Sequence, residues 1–207
     1  CSNIFLIMEI NKLIAQVKNC TICENYLQPN PIVSISKHSK ILIIGQAPGQ
    51  TVHKTGIPWN DKSGDNLRAW LGVDKTIFYD NKIFGLMPMG FCYPGTGKNG
   101  DLPPRTECAP YWHSQFLAQT KSIQLTLLIG QYAQNYYLKN NTKETLTETV
   151  KNYKSYLPQY IVLPHPSPRN NIWMAKNEWF EKGVLPILKN KISFIIQSAT
   201  FNFDINY

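Results

Sequence analysis

Apolar residues fall along this chain in short unbroken runs, set between stretches of helical spacing. Ile41-Leu42-Ile43-Ile44, Leu125-Thr126-Leu127-Leu128-Ile129 and Tyr160-Ile161-Val162-Leu163 are short for helices and rich in branched side chains, which predicts buried strands. Ile83-Phe84-Gly85-Leu86-Met87 reads as another apolar stretch of the same kind. Ile10, Leu13, Ile14 and Val17 predict a helix over 9–19, and Leu67, Trp70 and Leu71 predict one over 65–71. Further helices are predicted over 110–120, 131–138 and 176–189. Residues 28–40, 50–64 and 90–105 are rich in turn formers or polar residues and read as loops, with 140–155 as polar surface. Strands alternating with helices predict an α/β fold with a mainly parallel sheet. One domain is expected over 8–190, with a tail over 191–207 to which the sequence assigns no role.

Length and composition add bounds. The 207 residues are enough for one domain with a full core, and 43% hydrophobic with 16% charged residues is ordinary for a soluble globular protein. No apolar run approaches the roughly 20 residues of a membrane span, so no membrane partner is expected. The apolar start lacks a basic leader, so no signal peptide is expected; Met8 is a candidate natural start, with residues 1–7 an upstream extension. A net charge of +8 favours a polyanionic partner such as nucleic acid, although many lysine-rich proteins are simply basic.

Candidate chemistry sits at the ends of the predicted strands. Gly45-Gln46-Ala47-Pro48-Gly49 follows the first strand, where an open α/β sheet exposes backbone N–H groups to ligands. His165-Pro166-Ser167-Pro168-Arg169-Asn170 follows the last. Cys20-Thr21-Ile22-Cys23 is a C-x2-C pair, and Cys92 and Cys108 bracket a Gly/Pro-rich segment. Four thiolates favour zinc or an iron–sulfur cluster; buried free thiols and, less so in a reducing cytoplasm, disulfides are the alternatives.

These features together resemble the uracil-DNA glycosylase superfamily, nearest its iron–sulfur family 4 and family 5 branches. The family-4 pattern is G-E-A-P-G, then G-x-P-F-x-G-x-x-G, and later H-P-S. Gly45-Gln46-Ala47-Pro48-Gly49, Gly56-Ile57-Pro58-Trp59 with Gly64, and His165-Pro166-Ser167 match it in order. The extension through Pro168-Arg169-Asn170 is similar to the single-strand-selective branch. The resemblance implies a three-layer αβα fold around a mainly parallel sheet, and a monomeric DNA-repair enzyme that flips a damaged base and hydrolyses its glycosidic bond. It implies His165 as the donor to the leaving base and Trp59 as its stacking platform, with Gln46, Ala47 and Asn60 at the base edge. Pro48, Gly49, Lys54, Ser167, Arg169 and Asn170 would contact DNA, and Ile172-Trp173 is a candidate wedge, with packing an equal reading for Trp173. Cys20, Cys23, Cys92 and Cys108 would hold a structural 4Fe–4S cluster, with zinc or no metal as alternatives.

The departures from the pattern bear on the chemistry. Gln46 replaces the acid that orients water, His53 stands where an acid occurs later in the loop, and Asp61 replaces a glycine. Pro88 occupies the place of an Asn that reads the uracil edge. Asp61 and Asp65 are candidate catalytic carboxylates beside Gln46, although an Asp at a helix start is often only a cap. A non-catalytic DNA-binding member of the superfamily is therefore the alternative expectation, and hydrolysis of a small nucleoside a weaker third.

Overall fold

The computed structural model describes the backbone of residues 2–98 and 100–204, and the side chains of 10–98 and 100–199. The elements run α1 (Ser2–Lys18), β1 (Ile41–Ile44), α2 (Gln50–Thr55), α3 (Lys62–Leu71), α4 (Lys75–Tyr79), β2 (Phe84–Leu86), β3 (Thr96–Gly97) and β4 (Gly100–Asp101). They continue through α5 (Cys108–Gln119), β5 (Leu125–Ile129), α6 (Gln131–Leu138), α7 (Leu146–Lys151), β6 (Tyr160–Leu163), α8 (Asn171–Lys176) and α9 (Leu185–Asp204).

Four strands form one parallel sheet in the order β2-β1-β5-β6, with Ile43 opposite Leu86 and Leu127, and Leu127 opposite Ile161. Every residue of β1 and β5 is buried, as a sheet covered on both faces requires. That double burial is why these strands read as continuous apolar runs instead of alternating ones. Helix α1 packs on α5 and α3 on α9, giving the three-layer α/β arrangement. The chain leaves β1 for β2 on one side and reaches β5 on the other, so the order reverses at the carboxyl ends of β1 and β5. Ligands of open α/β sheets bind at such a point.

The structure departs from the sequence expectations in several places, among them the following. The loop expected over 50–64 contains α2, which buries Val52 and ends at Gly56 with φ 69°. Helix α3 begins at Lys62, three residues early, because the Asp61 side chain accepts from the Gly64 N–H at 2.8 Å and caps it. Residues 140–155 are not plain polar surface: α7 starts from a Thr145 cap, and Thr149, Val150, Tyr153 and Tyr156 are buried. The helix expected over 176–189 is instead α8, a π-helical turn at Phe180–Val184, and α9. Helix α9 runs past the expected tail boundary at 190/191 and buries Ile192 and Ile195. Residues 205–207 of that tail, Cys1, and the side chains of the expected extension over 1–7 lie outside the described residues. Among the described residues no helix is long and apolar enough to cross a membrane.

Candidate active site at the carboxyl ends of β1 and β6

A cavity of about 420 Å³ opens where β1 and β6 end, within the size range of small-ligand sites. The turn after β1 is held open by the neighbouring strand's exit: the Gly45 carbonyl accepts from Met89 N–H at 2.9 Å, and that of Gln46 from Gly90 N–H at 3.0 Å. Gly45 is glycine for a steric reason. A Cβ there would stand 2.7 Å from Cζ2 of Trp59, whose indole lies across the turn.

Trp59 has φ 57°, a conformation that side-chain-bearing residues adopt only when their surroundings impose it. Three groups do so here. The Trp59 carbonyl accepts from Arg68 Nη1 at 3.3 Å, and the preceding Pro58 carbonyl from the Tyr79 hydroxyl at 3.1 Å. Gly64 lets α3 approach so closely that a Cβ on it would fall 1.7 Å from the Trp59 carbonyl oxygen. Arg68 itself is buried and pairs with Asp65 at 2.6 Å. Asp65 therefore serves Arg68 and does not line the cavity.

His165 arrives at the end of β6 on a backbone fixed by three amides. Asn170 Nδ2 donates to the His165 carbonyl at 2.7 Å, Asn66 Nδ2 to that of Pro166 at 2.9 Å, and buried Gln134 Nε2 to that of Leu163 at 2.9 Å. The imidazole stacks toward Trp59, with ring centroids 5.9 Å apart and planes at 29°. Burial pushes its pKa below the usual histidine value, against the pull of Asp61 and Asp101. It is thus a neutral imidazole at neutral pH, and among the described residues neither ring nitrogen is committed to a protein partner.

Of the residues singled out in the sequence, Gln46, Ala47, Pro48 and Gly49 line this cavity. Trp59, Asp61, His165, Ser167 and Arg169 line it as well. Asn60, Lys54 and Asp65 do not, and Asn170 contributes through the His165 backbone instead. Pro88 forms part of the wall. Its carbonyl is taken by buried His113, whose Nε2 lies 3.0 Å away while Nδ1 meets the Tyr137 hydroxyl at 2.6 Å. A carbonyl only accepts, so Nε2 carries the proton and Tyr137 donates to Nδ1. Burial lowers the His113 pKa to about 4.

Asn66, Gln134, His113 and Asp101 were not legible as site residues. The first three work through backbone carbonyls, and Asp101 sits on a two-residue strand with no apolar pattern. The wedge divides: Ile172 is 71% exposed, whereas the Trp173 indole donates to Thr147 Oγ1 at 2.8 Å and packs on Trp179 and Phe180. Trp173 belongs to the fold.

Cys20, Cys23, Cys92 and Cys108 are free thiols that line one narrow, mostly apolar cavity between the end of α1 and the start of α5. Burial raises the Cys92 pKa to about 11 and that of Cys108 to about 12, and neighbouring thiolates add to both shifts. Four soft donors that repel one another when ionised fit a thiolate-bound cation or cluster in kind. Among the described residues no three His, Cys, Asp or Glu side chains are grouped as ligands of a single ion.

With the geometry in place, the match to a family model gives the class. The model of the uracil DNA glycosylase superfamily matches residues 33–189, and the chain belongs to that superfamily. The match spans the turn after β1, the Trp59 loop and the His165 segment. Among solved structures the chain is similar to the solution NMR structure of a "putative Uracil DNA glycosylase" from Methanosarcina acetivorans. That likeness has 17% identity and a TM-score of 0.43, and covers 76% of this chain and 95% of the other.

Proposed function

We propose that this protein is a monofunctional DNA glycosylase that hydrolyses the N-glycosidic bond of uracil or another deaminated base. The observation that carries the reading is His165, a half-buried neutral imidazole with uncommitted ring nitrogens facing Trp59 in a cavity at the sheet's switch point. A base must leave the helical stack before this bond can be reached. Trp59 offers the flipped base a face worth about 1–3 kcal/mol of stacking. As the bond breaks, negative charge collects on the base, and an N–H donor fixed in a desolvated pocket stabilises it more than water does. The Asn170 and Asn66 bonds hold the donor in place beforehand. Ser167 and Arg169 on the rim would contact backbone phosphates. Lys54 is exposed and outside the cavity, which supports hydrolysis by water over a Schiff-base step.

The four cysteines would hold a structural 4Fe–4S cluster, joining α1 to the loop between β2 and α5. Such a group would supply cross-linking and no step of the hydrolysis. Protein purified anaerobically is expected to contain iron and absorb in the visible, and Cys20→Ser to lose both; zinc without iron would replace this assignment.

Gln46 favours one second reading, a DNA-binding member without catalysis, because an amide in the cavity cannot take a proton from water. Oligonucleotides carrying a single uracil, hypoxanthine or xanthine separate the two. Enzyme in excess is expected to leave an alkali-labile site in at least one of them. Binding to all three with no base release would establish the second reading.

A further inference from the structure

Hydrolysis at the anomeric carbon needs a negative charge near the developing sugar cation and an acceptor for the water's proton. Gln46 supplies neither. Two carboxylates line the cavity, Asp61 and Asp101. Oδ1 of Asp61 is occupied by the Gly64 N–H as the cap of α3. Asp101 stands at the end of the β3–β4 hairpin, behind Gly100 with φ 126°.

The position of Asp101 is defined by what surrounds it. Its Oδ2 lies over the turn that carries Gln46, 3.3 Å from where a Cβ on Gly49 would stand. Its Oδ1 is 3.5 Å from the Tyr93 hydroxyl, which is 2.5 Å from Thr96 Oγ1 in the same hairpin. Arg169 Nη1 lies 2.8 Å from where a Cβ on Gly100 would stand, so a cation borders the carboxylate on the rim. Gly49 and Gly100 leave the space through which the hairpin's carboxylate meets the turn.

We propose that Asp101 is the catalytic carboxylate that activates the attacking water, delivered by the hairpin to the turn whose own residue, Gln46, cannot do so. This rests on the glycosylase reading. In the step, the water oxygen bonds to C1′ and the C1′–N bond breaks with its electron pair remaining on the base. The water's proton passes to Asp101, while His165 donates a hydrogen bond to the departing base, which is then protonated from solvent.

The test is single-turnover excision by the full chain on whichever base the wild type releases, comparing Asp101→Asn, Gln46→Glu and the double variant. Asp101→Asn is isosteric and is expected to lower the rate constant about 10²–10⁴-fold, with oligonucleotide binding kept. Gln46→Glu in that background is expected to restore part of the rate, because it returns a carboxylate to the same turn. A wild-type rate in Asp101→Asn, or a change in DNA affinity alone, would overturn the assignment while leaving the glycosylase reading intact. A wild type that releases no base would overturn both.

Discussion

The rings of Trp59 and His165 face each other across the mouth of the cavity, with centroids 5.9 Å apart. One comes from a loop fixed by α3, the other from the end of β6, and they are 106 residues apart in sequence. Their relation depends on two glycines. Gly45→Ala would set a methyl 2.7 Å from the indole edge, a side chain that can swing aside. Gly64→Ala would set one 1.7 Å from a backbone oxygen that cannot. Gly45→Ala is therefore expected to shift tryptophan fluorescence and lower excision at least about tenfold for about 1 kcal/mol of stability. Gly64→Ala is expected to cost about 3 kcal/mol or more in urea unfolding. Equal and small effects of the two would show that the loop is not held as described.

Ile172 and Trp173 should separate cleanly. Ile172→Ala is expected to leave unfolding within about 0.5 kcal/mol while weakening action on duplex more than on single-stranded substrate, as loss of an inserted side chain would. Trp173→Ala removes a packed indole and its bond to Thr147, and is expected to cost about 3 kcal/mol. Thermal melts and strand-specific rates on both variants decide this. The reverse pattern would make Trp173 the wedge.

The contrast shows what a sequence can carry. β1, β5 and β6 were legible because burial on both faces leaves uninterrupted apolar runs. Gln46, Trp59 and His165 were legible because they lie in contiguous motifs at strand ends. Trp173 gives no such signal: it lies on the short helix α8, and its side chain is placed by Thr147, Trp179 and Phe180, none of which marks it in sequence. Asn66 and Gln134 hold backbone carbonyls, and Asp65, a candidate by sequence, is drawn away by a buried arginine. Asp101 depends on a hairpin whose strands are two residues each.

Behind the Pro88 wall, His113 gives a pH signature. Its pKa falls from 6.5 in the unfolded chain to about 4 when buried between Pro88 and Tyr137. Between those values the unfolded state holds the extra proton, so stability is complete above pH 6.5 and declines as pH falls toward 4. The full shift corresponds to roughly 3 kcal/mol. Urea unfolding at pH 7 and pH 4 is expected to show this loss beyond that of His113→Gln, which keeps a donor for Pro88 but does not titrate. Identical pH slopes would mean that His113 is not held neutral.

The most direct test of the central claim is single-turnover release of uracil from a labelled single-stranded oligonucleotide by wild type and His165→Ala, each in excess over DNA. Loss of a preorganised donor to the leaving base predicts a rate constant about 10²–10³-fold lower in the variant, with oligonucleotide affinity preserved. Equal rates in the two proteins would contradict the assignment of His165, and with it the mechanism built on the carboxyl ends of β1 and β6.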